Sequence, residues 1–101
     1  MFKKFKFVVK DFLGKDYSHN PEDAQKIVDY ILENNNKNKD VEIDFKGIKT
    51  VNTAFCNVIY ETLKNRQQQF KVKLVNCNSF ILETFDRVRD NYDNKVKNND
   101  L

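Results

Sequence analysis

Along the first third of the chain, hydrophobic and charged positions trade places in two distinct rhythms. Residues 2–13 read as a strand: Phe5, Phe7 and Val9 fall on one face, and Lys4, Lys6 and Lys10 on the other. Gly14 breaks the run, and residues 14–20 form a polar connection ending in Ser18-His19-Asn20. The rhythm then changes to a helical one. Asn20 is a good N-cap, Pro21 suits the first helical position, and Glu22 and Asp23 suit the positive end of the helix dipole. Ala24, Ile27, Val28 and Ile31 follow as a single stripe, and the helix is expected to fade in Asn34-Asn35-Asn36.

The period-two pattern returns at Val41, Ile43 and Phe45, which alternate with Glu42 and Asp44, and Gly47 ends this second strand. A helix over residues 53–66 is expected to bury Phe55, Val58, Ile59 and Leu63, with Cys56 also packing. Phe70, Val72 and Leu74 alternate with Lys71 and Lys73 in a third strand. Asn76-Cys77-Asn78-Ser79 reads as a turn with Ser79 as the cap of a last helix that carries Ile81, Leu82, Phe85, Val88 and Tyr92. Residues 93–101 are polar and unpatterned and read as a flexible tail, which leaves residues 1–92 as one domain.

Strand, helix, strand, helix, strand, helix implies linked βαβ units with right-handed crossovers, hence an α/β fold. The expected architecture is a mainly parallel sheet of three to four strands with three amphipathic helices. Stepping in one direction gives strand order 1-2-3, with the helices on one face. The charges agree with that order. Glu42 and Asp44 on the middle strand would lie between Lys4 and Lys6 on one side and Lys71 and Lys73 on the other, each cross-strand pair contributing about 0.2–1 kcal/mol. One face of the sheet is then either open to solvent or covered by a partner, a second copy or an extra hairpin, because parallel sheets are ordinarily covered on both sides. The expected shared core is Phe7, Val9, Ile27, Ile31, Ile43, Phe45, Phe55, Ile59, Val72, Leu74 and Phe85.

Composition narrows the function classes. The 101 residues suit one domain, and nine Phe among 40% hydrophobic residues are enough for a core at this size. The net charge of +3 is too small a bias to indicate nucleic acid as the partner, and the Phe–Lys alternation at the start is what a half-buried strand looks like. No apolar run approaches the ~20 residues of a membrane span, and the start lacks the hydrophobic stretch of a signal peptide, so a cytoplasmic location is expected. Cys56 and Cys77 form no ligand spacing and read as free thiols, and no metal site or cofactor is expected. His19 stands beside Ser18, but adjacent residues rarely align as base and nucleophile, and no third group orients them. No catalytic residue is assigned, and the chain is expected not to be an enzyme.

Residues 41–55 read Val-Glu-Ile-Asp-Phe-Lys-Gly-Ile-Lys-Thr-Val-Asn-Thr-Ala-Phe. This stretch resembles the signature of STAS-like domains, which are related to bacterial anti-sigma factor antagonists. Asp44, Gly47, Ile48 and Val51 match the frame of hydrophobic strand, Asp, apolar residue, Gly turn and helix start. The Asp-Phe-x-Gly-Ile and Ala-Phe elements, and Val72-x-Leu74-Val75-Asn76-x-Asn78 further on, are similar to an uncharacterised STAS-like family. The resemblance spans roughly residues 5–92.

It implies a non-enzymatic protein-binding switch or adaptor. In antagonists of this type a Ser or Thr at the start of that helix is phosphorylated by a serine/threonine kinase of the histidine-kinase-like ATPase superfamily. Carried over, the acidic position falls on Asn52 and the phosphoacceptor on Thr53, while Ala54-Phe55 replaces the usual Ser-Gly. The partner-binding loop is then Gly47, Lys49, Thr50, Asn52 and Thr53, with Asp44 stabilising the turn. The plainer reading is that Asn52 or Thr53 caps the helix. The competing functional reading is a constitutive assembly subunit that acts through its exposed sheet face or as a homodimer, without phosphorylation.

Overall fold

A computed structural model describes residues 4–66 and 69–99. The first residues of the expected first strand, Phe2 and Lys3, and the last two of the expected tail lie outside them. The elements run β1 (Phe5–Val8), α1 (Val9–Leu13), β2 (Tyr17–Ser18), α2 (Pro21–Asn34), β3 (Val41–Asp44), β4 (Thr50–Val51), α3 (Thr53–Lys64), β5 (Val72–Val75) and α4 (Ser79–Asn99). This is a mixed α/β fold with a three-stranded parallel sheet ordered β1-β3-β5 and a two-stranded parallel pair β2-β4.

Charge and hydrophobicity set the register. Phe5, Val41 and Val72 stand abreast, as do Phe7, Ile43 and Leu74, so one face of the sheet is apolar across its width. That face meets the helices. Val41, Ile43 and Phe45 are fully or almost fully buried with Ile27, Val28 and Ile31 of α2 and Phe55, Cys56 and Ile59 of α3. Val72 and Leu74 on the edge strand are only partly buried against this cluster. The opposite face carries Lys6, Glu42 and Lys73 in one row and Val8, Asp44 and Val75 in the next, all exposed or half-buried. Lys4 reaches Glu42 at 3.9 Å, a surface pair of small energetic weight.

Two expectations are corrected here. The first strand does not run to residue 13. It stops at Val8, and Val9–Leu13 forms a one-turn helix closed by Gly14, whose left-handed backbone (φ +70°) lets its N–H return to the Lys10 carbonyl. Val9, Phe12 and Leu13 lie at helical spacing, and Phe12 packs against Phe7 and Tyr30 at ring distances of 5.0 and 5.3 Å. The tail does not begin at 93 either, since α4 continues to Asn99. Once the turns anchored by Ile81, Phe85 and Val88 exist, each further residue adds a hydrogen bond without a new nucleation cost.

The last helix also starts differently from the sequence reading. Asn78, not Ser79, is the cap, its Oδ1 accepting from the Ile81 N–H at 2.8 Å. Leu82 is exposed, whereas Ile81, Phe85 and Val88 are buried. No helix among the described residues is long and apolar enough to cross a membrane.

Candidate functional site

The segment between β3 and α3 is held from three sides. Asp44 at the end of β3 accepts from the Lys46 N–H at 2.8 Å and from Asn76 Nδ2 at 2.9 Å, so one carboxylate ties the turn to the end of β5. Gly47 follows with φ +82°, a conformation that L side chains rarely adopt, and a Cβ there would stand 2.8 Å from Lys10 Cδ. The turn closes with the Ile48 N–H on the Phe45 carbonyl at 3.0 Å.

The second support is the connection before α2. β2 pairs with β4, with Tyr17 opposite Thr50 and Ser18 opposite Val51. The Lys49 N–H donates to the Asp16 carbonyl at 2.7 Å and the Asn52 N–H to the Ser18 carbonyl at 3.3 Å. Asn52 Nδ2 donates to the His19 carbonyl at 2.7 Å, and a His19 ring nitrogen lies 2.6 Å from Thr50 Oγ1. The connection itself is pinned to α2: Ser18 Oγ donates to the Asp23 carboxylate at 2.8 Å and the Lys15 ammonium lies 2.7 Å from it.

Burial pushes the Asp23 carboxyl upward, but the hydrogen bonds from Lys15 and Ser18, with the charges of Lys15 and Lys26, outweigh this and hold it below its ordinary value. The same hydrogen bond raises Lys15. A depressed carboxyl stabilises the fold above its unfolded value and loses that contribution as pH falls through the folded value. A raised amine loses its contribution as pH rises through its folded value. Stability from this pair is therefore expected to be complete between about pH 4 and pH 10.4 and to decline outside that window. Asp23→Asn should flatten the acid limb of a melting-temperature profile; an unchanged acid limb would show that the pair carries no linkage.

The third support is Asn78, whose Nδ2 donates to the carbonyls of Ile48 (3.3 Å) and Lys49 (2.9 Å) while its Oδ1 caps α4. Asn78→Ala should cost about 2 kcal/mol, combining a lost cap with loop hydrogen bonds. It should also speed amide exchange across residues 48–50. A loss under about 0.5 kcal/mol in urea denaturation would contradict this clamp.

Thr53 stands where these supports converge. Asn52 is the N-cap of α3, its Oδ1 accepting from the Phe55 N–H at 2.9 Å. Thr53 is the first helical residue, exposed, and its hydroxyl is not the cap. An open cleft of about 440 Å³ lies there, lined by His19, Val51, Asn52, Thr53, Phe80, Thr84 and Arg87. Sequence reasoning placed Gly47, Lys49, Thr50, Asn52 and Thr53 in one loop. It did not bring His19 from before α2, or Phe80, Thr84 and Arg87 from α4, to the same place. Local patterning held no signal for this, since the joining elements are a two-residue strand pair and an asparagine clamp.

Neither cysteine lines the cleft at Thr53. Burial pushes the Cys56 thiol up to about 12, with Cys77 adding to it. Burial and the Asp44 charge push Cys77 up to about 11, so neither is a ready thiolate near neutral pH. Among the described residues no three His, Cys, Asp or Glu side chains gather as a metal site.

A parallel sheet covered on one side by helices, with a strand–Asp–Gly turn feeding a capped helix, fits a STAS-like α/β domain. The family model for the STAS-like domain of unknown function (DUF4325) matches residues 23–81, and the chain belongs to that family. The matched region contains β3, the Gly47 turn, α3 and β5. No curated protein and no solved structure matches the chain.

Proposed function

We propose that this domain is a non-enzymatic switch or adaptor module that binds a protein partner through residues 47–53 and the exposed start of α3. The observation that carries the reading is the division of labour at that helix start. Asn52 makes the cap hydrogen bond, which leaves the exposed Thr53 hydroxyl free of that duty. A hydroxyl there sits beside unpaired helix N–H groups at the positive dipole end, where an added phosphate is tolerated. Resemblance to anti-sigma factor antagonists supplies the partner class, a cytoplasmic bacterial histidine-kinase-like ATPase acting as a serine/threonine kinase on Thr53.

Incubation with a bacterial ATPase-type serine/threonine kinase of the histidine-kinase-like superfamily and ATP, followed by peptide mass spectrometry, tests the phosphoacceptor. One phosphate on Thr53, absent in Thr53→Ala, is the expected result. No phosphate, or phosphate retained in Thr53→Ala, would contradict it. The second reading, a constitutive assembly subunit or homodimer, draws on the polar sheet face with Lys6, Glu42 and Lys73. It predicts partner binding or self-association that is indifferent to ATP.

A further inference from the structure

β5 is an edge strand: among the described residues it pairs with β3 only. The Val41 and Phe45 N–H groups donate to the carbonyls of Lys71 and Val75. In a parallel ladder a residue's N–H and C=O point to the same side, and successive residues alternate sides. The backbone groups of Lys71, Lys73 and Val75 therefore serve β3, and those of Val72 and Leu74 point to the open edge.

Two further features stand at that edge. Val72 and Leu74, only partly buried, line an apolar hollow of about 240 Å³ whose other walls include Ile59, Leu63 and Phe85. The exposed Lys71 and Lys73 occupy the alternate positions, and neither has an ion pair among the described residues. The row Lys6, Glu42, Lys73 alternates in sign across β1, β3 and β5, so the next place in the row calls for an acid.

We propose that the β5 edge accepts an extended segment of a partner protein in which apolar residues alternate with acidic ones. The backbone of the added strand would pair with Val72 and Leu74. Its apolar side chains would enter the hollow, and its carboxylates would meet Lys71 and Lys73. β3 itself, Val-Glu-Ile-Asp, shows that this grammar fits against β5 on the other side. A second copy is a poor occupant, because pairing β5 with β5 sets lysine against lysine, the usual guard against edge self-association.

The test titrates the full chain with a labelled peptide alternating Val with Glu, alongside a block-ordered peptide of the same composition. Saturable binding of the alternating peptide is expected, with the block-ordered one weaker by about ten-fold or more because its register cannot serve both faces. The double variant Lys71→Glu, Lys73→Glu, checked for its fold by circular dichroism, should bind the Val/Glu peptide about ten-fold more weakly and gain binding to a Val/Lys peptide. The amides of Val72 and Leu74 should become protected from exchange on binding. Absence of saturable binding, equal binding of the two peptide orders, or indifference to the charge reversal would overturn the proposal.

Discussion

The Phe45→Ala variant is expected to lose about 3–5 kcal/mol of stability, through lost burial and the cavity left behind. Phe45 is completely buried. It leaves the end of the central strand and packs edge-on against Phe55 of α3 (5.7–6.5 Å is the range of its two ring distances) and Phe85 of α4. One side chain thus joins the sheet to two helices. A domain of this size has about 5–15 kcal/mol in total, so the loss removes a large share of its stability. The loss should show in urea denaturation as a lower midpoint with an unchanged slope. The Phe45 carbonyl also receives the Ile48 N–H, so damage should spread into the Gly47 turn. A loss below about 1 kcal/mol would contradict the central position of this ring.

Much of this arrangement was legible in the sequence because burial writes a period. The alternation at Val41, Ile43 and Phe45 and the stripe of Ala24, Ile27, Val28 and Ile31 correspond to the observed elements. The strand order followed from the βαβ sequence and from the acids on the middle strand. Val72 and Leu74 were expected in the core and are only half covered, because an edge strand has a neighbour on one side alone.

What escaped the sequence reading is carried by short elements and single polar side chains. Phe5, Phe7 and Val9 alternate, so the strand pattern masked the helical spacing of Val9, Phe12 and Leu13. The β2-β4 pair is too short to show a period. Three asparagines each accept from a backbone N–H at a helix start: Asn20 was legible as a cap and Asn52 as one of two candidates, whereas Asn78 was hidden behind Ser79. Asn38 and Asn76 adopt positive φ in turns, which Asn tolerates better than most residues. Asn35, buried, exchanges two hydrogen bonds with Lys39 to shape the passage from α2 to β3. Which asparagine meets which backbone group is fixed only when distant segments come together, so the cleft at Thr53 could not be read from local pattern.

The largest functional effect is expected from charge at Thr53. An acid at the first position of α3 faces the positive dipole end, worth about 0.3–1 kcal/mol, so Thr53→Glu should melt close to the wild type. Thr53→Ala should also fold normally, because Asn52 makes the cap bond. At the proposed partner surface the outcome should differ: a misplaced charge in a buried contact costs about 2–5 kcal/mol, whereas one at the rim mainly slows association. The most direct test is the affinity of the ATPase-type partner for wild type, Thr53→Ala and Thr53→Glu, with thermal melts alongside. The account predicts that Thr53→Ala binds like wild type, that Thr53→Glu binds far more weakly, and that all three melt together. Equal affinities for the three would contradict the switch and leave a constitutive adaptor.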